Sequence, residues 1–204
     1  MASSLDGMIG LDAFESDANR ESYGFGGPAD HAVVKQYLQT ADAVITGANS
    51  IRAARRTWEV CNHNGKFADW IVLTQNGLDP TLEFFQQSNV HKILVSPERL
   101  KDFQPSSHCE NKCYGKNFSD FFGRLFVKRN YANVLLFGGG NCNKIFYANG
   151  LVDYLSLTLC PVILARSGAS RLVQEGLDAY IRLSYQSSQA VENLVFLKYK
   201  VIKN

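Results

Sequence analysis

The sequence predicts one α/β domain on a mostly parallel sheet with an antiparallel end, and three observations carry that prediction. Short apolar runs rich in β-branched residues alternate with amphipathic stretches of helix length, the pattern of strands joined by crossover helices. The run Asn133-Val134-Leu135-Leu136-Phe137 passes directly into Gly138-Gly139-Gly140 and an amphipathic stretch, which makes a βα unit. The tail carries Ile181-Arg182-Leu183 and Leu194-Val195-Phe196-Leu197 with no helix between them, as antiparallel strands do. A chain of 204 residues, 46% hydrophobic and 20% charged, suits a single domain over residues 1–204.

The elements follow in order. From Ala29 to Thr40, Val33, Val34, Tyr37 and Leu38 share helical spacing behind Pro28, a good first-turn residue. Ala43-Val44-Ile45-Thr46 reads as a buried strand that breaks at Gly47 and turns through Asn49, Ser50 and Ile51 into a short helix. Trp70 to Thr74 and Lys92 to Ser96 are two further strands, separated by a loose helix around Leu82, Phe84 and Phe85. Gln104 to Asn117 has no clear period and reads as loop and edge structure, after which helical spacing returns from Phe118 to Lys128. The strand from Asn133 is expected to be buried. The helix behind the triple glycine contains Ile145 and Phe146 and closes at Asn149-Gly150 as a left-handed cap. Leu155 to Leu159 is the next strand.

Composition removes several function classes. Lys plus Arg number 21 against 19 Asp plus Glu, a balance unsuited to a surface that neutralises nucleic-acid phosphate. The longest apolar runs fall far short of the roughly 20 residues that cross a bilayer. The amino terminus lacks the basic start and apolar core of a secretory signal, so the expected address is cytoplasmic, with neither membrane nor nucleic acid as a partner. Five cysteines, an odd number without framework spacing, predict free thiols. Cys61, His63, His108, Cys109 and Cys113 miss the paired spacings of zinc sites and read as polar loops, so no metal is expected.

Two strand-to-helix turns could carry chemistry. Glycine after a strand lets a phosphate approach the main chain, and the following helix offers unpaired N–H donors at its positive end. Gly138-Gly139-Gly140 is such a turn, although no G-x-G-x-x-G follows and a glycine cluster is as often only a tight turn. Thr46-Gly47-Ala48-Asn49-Ser50 is the second, and two such turns on one parallel sheet would grip a long anionic ligand.

Ser4-Leu5-Asp6-Gly7, the run from Ala41 to Ala53, Phe137-Gly138-Gly139-Gly140, and Gly150-Leu151-Val152-Asp153 with Pro161 resemble, in order and spacing, the signature of the riboflavin-biosynthesis reductase domain. That domain is the C-terminal part of a bacterial bifunctional deaminase-reductase, and the resemblance covers nearly the whole chain. It implies a dihydrofolate-reductase-like fold with helices on both faces of a mixed sheet, a homodimer, a small-molecule substrate, and NADPH as hydride donor. The usual reaction reduces the ribose of 5-amino-6-(5-phosphoribosylamino)uracil to a ribityl chain.

By position, the resemblance implies that Gly138, Gly139, Gly140, Asn141, Cys142 and Asn143 hold the cofactor diphosphate. Ser50 bonds a phosphate oxygen, with Gly47 and Asn49 beside the cofactor's path. Ser96 ends a strand where the adenosine 2′-phosphate would lie, or simply caps it. Asp6 falls in the active-site turn, either for proton handling or substrate orientation, or as a turn aspartate bonded to its own backbone. Ser22 matches a substrate-contacting serine in the following loop, and Arg52 and Phe137 stand at substrate positions.

The departures are as informative. Phe137 replaces the acidic residue that precedes the glycines in relatives, and Arg52-Ala53-Ala54-Arg55-Arg56 replaces an R-A-D-x-P run. Leu38 and Cys61 stand where relatives carry phosphate-binding arginines. The family's lysine, four residues before the position of Ser4, would fall ahead of Met1. Each lost charge-assisted phosphate bond costs about 1.5–3 kcal/mol, which weakens the usual substrate. Arg52, Arg55 and Arg56 either restore positive charge or form a solvated helix face. Tyr23 and Phe25, among Gly24, Gly26 and Gly27, form either a lid over the nicotinamide or a plain loop. Two alternatives to the family reaction stay open: a dihydrofolate-reductase-like or other pterin or pyrimidine reductase, and a catalytically silent NADPH-binding paralogue.

Overall fold

The computed structural model describes residues 1–12, 14–101 and 103–203. In chain order the elements are β1 (Ala2–Ser3), β2 (Met8–Gly10), α1 (Asp17–Ser22), α2 (Pro28–Leu38), β3 (Ala43–Gly47), α3 (Ala48–Ala54), β4 (Asp69–Leu73) and α4 (Glu83–Gln86). There follow β5 (Lys92–Ser96), β6 (Cys109–Cys113), α5 (Phe118–Arg129), β7 (Val134–Gly138), α6 (Gly140–Ala148), β8 (Tyr154–Leu159), β9 (Ser170–Arg171), β10 (Arg182–Val191) and β11 (Leu194–Ile202). They gather into two compact units, Met1–Val34 with Gly138–Asn204, and Lys35–Phe137.

The Lys35–Phe137 unit is built on a sheet in the order β6-β5-β4-β3-β7, in which the β3–β4, β4–β5 and β5–β6 pairs run parallel. Its inner strands are apolar on both faces, as a sheet covered on both sides demands: Val44, Ile45, Ile71, Val72, Ile93, Leu94 and Val95 are all buried. Each such side chain contributes about 1.5–3 kcal/mol relative to exposure. β7, expected to be buried, has half-buried side chains from Val134 to Phe137, because it stands last in the strand order. β6 is the opposite outer strand, in the segment read as loop and edge.

Helix α5 turns Phe118, Phe122 and Leu125 inward and is capped at both ends. The Asn117 side chain accepts the Asp120 N–H, and Asn130 takes the left-handed conformation. The amino-terminal ends of the parallel strands carry a charged cluster in which Arg129 and Lys112 pair with Glu110, and the Tyr131 hydroxyl donates to Asp69. Lys92 is wholly buried, donates to the carbonyls of Gln87 and Val90, and lies over the Phe84 ring. Desolvation lowers its pKa, opposed by the nearby Cys109 and Glu59.

The other unit holds a four-stranded sheet in the order β1-β8-β11-β10 and a two-stranded β2–β9 pair. β10 and β11 form an antiparallel hairpin with an irregularity between Tyr185 and Ser187, and β11 pairs antiparallel with β8. The antiparallel end expected from the tail is therefore present, as a sheet that also takes in β1. Phe25, Cys160 and Leu194 form a buried cluster, with Tyr23, Val162, Leu164 and Phe196 packed against it. The edge strand β10 is exposed from Arg182 to Ala190. No helix among the described residues is long and apolar enough to cross a membrane.

Candidate functional site

The turn from β7 into α6 is built from main chain. Gly138 has φ 80° and Gly139 φ 62°, values that L side chains rarely adopt. Gly139 is also the helix N-cap and brings no side chain to occupy the first amides. The Asn143 N–H donates to the Gly139 carbonyl at 2.9 Å and closes the first helical bond. The N–H groups of Gly140, Asn141 and Cys142 ahead of it have no internal acceptor among the described residues. Three donors at the positive end of a nine-residue helix form a cradle for an anion.

Packing sets two of the glycines independently of any ligand. A Cβ on Gly140 would collide with the Arg171 carbonyl, and one on Gly138 would collide with the Asn143 side chain. Residues 171–174 brace the turn: Asn143 Nδ2 donates to the Leu172 carbonyl at 2.6 Å, and the Gln174 N–H donates to the Gly140 carbonyl at 3.1 Å. Leu172 N–H in turn donates to the Gly7 carbonyl at 3.1 Å. Asn143 and Cys142, expected at the cofactor, point their side chains inward at 3% and 5% exposure and present only backbone. Burial pushes the Cys142 thiol up to about 12. Asn141 is exposed.

Asp6 is committed within its own unit. Its carboxylate accepts from Ser4 Oγ at 2.6 Å, from Leu164 N–H at 3.1 Å and from Ala165 N–H at 2.7 Å. These donors hold its pKa at about 2, the Ser4 hydroxyl contributing most. An ionised carboxylate has no proton to give at neutral pH, so proton donation is the weaker of the two roles the sequence suggested. Ser22 lies not in a loop but at the end of α1, where its hydroxyl donates to the Asn19 carbonyl at 2.6 Å. Phe25 is 2% exposed in the core cluster, so the glycine-flanked aromatics form no lid. Tyr23 donates to Glu15 at 2.8 Å.

The turn from β3 into α3 works differently. Gly47 is the N-cap with φ −85° and ψ 153°, extended backbone open to any residue, and no side chain caps the helix. Ser50 is exposed. Arg52 is exposed and fixed: Nη1 donates to Asn49 Oδ1 at 2.8 Å and Nη2 to the Gly77 carbonyl at 2.9 Å. The Thr74 hydroxyl shares that carbonyl at 2.9 Å. Neither Thr74 nor Gly77 was singled out from sequence, though Asn76-Gly77 after a strand is a turn signature.

Ser96 is 0% exposed. Its hydroxyl donates to the Glu98 carbonyl at 2.6 Å and accepts from Asn111 Nδ2 at 3.0 Å, so it is engaged within the chain as a strand-end cap is. Phe137 meets Trp70 edge-on at 5.6 Å. Among the described residues no group of three His, Cys, Asp or Glu is arranged to hold a metal, and Cys109 is buried while Cys61 and Cys113 are exposed.

Against known proteins, the family model of the RibD C-terminal domain matches residues 1–197. No curated protein matches the sequence. Among solved structures, a pyrimidine reductase-like protein from Corynebacterium diphtheriae is 19% identical with a TM-score of 0.76, covering 100% of this chain and 90% of that one. A diaminohydroxyphosphoribosylaminopyrimidine deaminase/5-amino-6-(5-phosphoribosylamino)uracil reductase from Thermotoga maritima is 14% identical with a TM-score of 0.76, covering 98% of this chain and 55% of that one. The Saccharomyces cerevisiae riboflavin biosynthesis reductase is 16% identical with a TM-score of 0.70, covering 98% and 87%. This chain thus spans about half of the Thermotoga protein. At these identities the likeness establishes a shared fold.

Proposed function

The chain belongs to the RibD C-terminal domain family, the reductase domain of riboflavin biosynthesis, and from that premise we propose that it is an NADPH-dependent reductase of a small pyrimidine-type substrate. The observation that carries the cofactor half of this reading is the cradle of three unpartnered amides on Gly140, Asn141 and Cys142. Its donors suit a diphosphate, and the positive-φ glycines ahead of it let the cofactor approach the main chain. The resemblance alone adds Ser50 as a donor to a phosphate oxygen and Gly47 as the residue that leaves room for the cofactor. Bound NADPH would supply the hydride, and the chain's own task is to align the reactants and exclude water.

Asp6 orients rather than protonates: ionised, it fastens the backbone at Leu164 and Ala165 and offers its remaining acceptor capacity to substrate. The substrate's proton then comes from water.

A specific observation favours a second reading of the substrate. Of the two positions where relatives carry phosphate-binding arginines, Leu38 is 1% exposed in the core and Cys61 carries no charge. Phe137 packs on Trp70 and cannot accept a hydrogen bond. A pterin or an unphosphorylated pyrimidine therefore competes with the phosphoribosylamino substrate.

The same reading includes a cytoplasmic homodimer. The exposed edge of β10 runs from Leu183 to Ala190 without a charged side chain or proline to protect it, which suits pairing with a second copy. Light scattering on the purified protein would return a monomer if that part is wrong. The function itself is tested by fluorescence titration with NADPH, then by NADPH oxidation with 5-amino-6-(5-phosphoribosylamino)uracil, dihydrofolate and pterins. Absence of NADPH binding refutes the proposal; binding without turnover on any substrate favours a silent paralogue.

A further inference from the structure

We infer that Arg52, placed by the resemblance at the substrate, instead recognises the 2′-phosphate of the cofactor and so sets a preference for NADPH over NADH; the assignment rests on the cofactor reading above. Within the Lys35–Phe137 unit, Gly47, Leu73 and Val95 stand in one register row, so α3 and the Gly77 turn both leave the carboxyl edge of the parallel strands. Ligands of open α/β sheets bind at that edge.

The polar side chains there are mostly spent. Thr46 is buried, Thr74 donates to the Gly77 carbonyl, and Ser96 donates to the Glu98 carbonyl. Ser50 and Arg52 on α3 are exposed, and of the two Arg52 carries charge. Its guanidinium is held at two points, by Asn49 Oδ1 and by the Gly77 carbonyl, and both acceptors are neutral. Two of five N–H donors are used, and among the described residues no carboxylate forms an ion pair with it.

Four other arginines differ in kind. Arg20 sits on Asp17, Arg56 on Glu59 and Glu83, Arg129 on Glu110, and Arg171 on Glu175. Asp79, the carboxylate of the Gly77 loop, instead takes the N–H and hydroxyl of Thr81 and faces Arg55. An arginine tethered by two neutral acceptors has already lost its rotamer freedom, so binding a dianion costs little further ordering. The remaining donors form the fork that suits a phosphate monoester. NADPH carries such a group on its adenosine half and NADH does not.

The experiment is a calorimetric titration of wild type, Arg52→Gln and Arg52→Lys with NADPH, NADH, adenosine 2′,5′-bisphosphate and 5′-AMP. Arg52→Gln is expected to weaken NADPH and the bisphosphate by about 10- to 100-fold, the loss of a charge-assisted bond. NADH and 5′-AMP should change by less than about twofold, which also reports that the pocket remains folded. Arg52→Lys should fall between, because it keeps the charge and loses the fork. A parallel loss of NADPH and NADH affinity, or unaltered selectivity, overturns the assignment while leaving the reductase reading intact. A wild-type protein that binds neither dinucleotide sinks both.

Discussion

The two strand-to-helix turns are alike as sequence, a strand ending at glycine and feeding a helix, yet glycine stands in each for a different reason. At Gly47 the backbone is extended, with φ −85°, and makes no demand for glycine. At Gly138 and Gly139 it lies at positive φ, and a neighbouring carbonyl closes the space over Gly140. The recognition chemistry divides the same way. The β7–α6 turn offers amides and braces them with Asn143 and residues 171–174. The β3–α3 turn offers side chains, Ser50 and the tethered Arg52. A glycine pattern therefore marks where a ligand could approach, while the backbone angle and the packing decide whether the glycine serves the ligand or the fold.

Gly140→Ala should produce the largest effect. The new methyl group meets main chain, the Arg171 carbonyl, which cannot rotate aside as a side-chain tip can. Overpacking of this kind costs roughly 2–4 kcal/mol, read as a shift in the urea midpoint. Displacing the turn also moves the three free amides, so NADPH affinity should fall in the same variant. Stability within about 0.5 kcal/mol of wild type would mean that the 171–174 brace yields easily, and the contrast between the turns would be lost.

A smaller and pH-dependent effect tests how the brace is anchored. Leu172 hangs on the Gly7 carbonyl, and the neighbouring Asp6 fastens Leu164 and Ala165. The folded pKa of Asp6, about 2, lies below its ordinary 3.8. Its contribution to stability is thus present above the ordinary value and is lost as pH falls through that window. In Asp6→Asn the amide turns a donor toward one of the two backbone N–H groups, so the thermal midpoint at pH 7 should drop. The wild-type and variant midpoints should then converge as pH falls from about 4 to 2. A constant gap across that range would show that ionised Asp6 does not hold this corner.

Much of the architecture was legible because it is written in local pattern. Ala43 to Thr46, Trp70 to Thr74 and Lys92 to Ser96 are runs of strand length, and all became strands, the second ending one residue earlier at Leu73. Helix α1 was missed because Asp17–Ser22 has no buried residue and hence no apolar period, and its signals are the Ser16 cap, which accepts the Asn19 N–H, and the end charges Asp17 and Arg20. The site was half legible. The glycine turns and the position of Ser50 follow from sequence, but what closes Ser96, Cys142 and Asn143 does not. Asn111 stands 15 residues from Ser96, and Leu172 stands 29 from Asn143; only tertiary packing makes those side chains unavailable to a ligand. At Tyr23 and Phe25 the plain-loop alternative holds and the lid alternative falls for the same reason, the partners of Phe25, Cys160 and Leu194, lying far along the chain.

Gly47→Ala should change stability least, and it is the sharpest test of the comparison because the same substitution type is costly at Gly140. The native φ of −85° and ψ of 153° is available to alanine without strain. An alanine that fits the native backbone restricts the unfolded chain and adds about 0.4–1 kcal/mol of stability. The urea midpoint should therefore hold or rise slightly. NADPH affinity should nevertheless fall, since the methyl group occupies the space through which the cofactor is proposed to pass. Stability and affinity then move in opposite directions at Gly47 and together at Gly140. A loss of more than about 2 kcal/mol at Gly47 would instead mean that close packing requires this glycine too, and the two turns would share one physical cause.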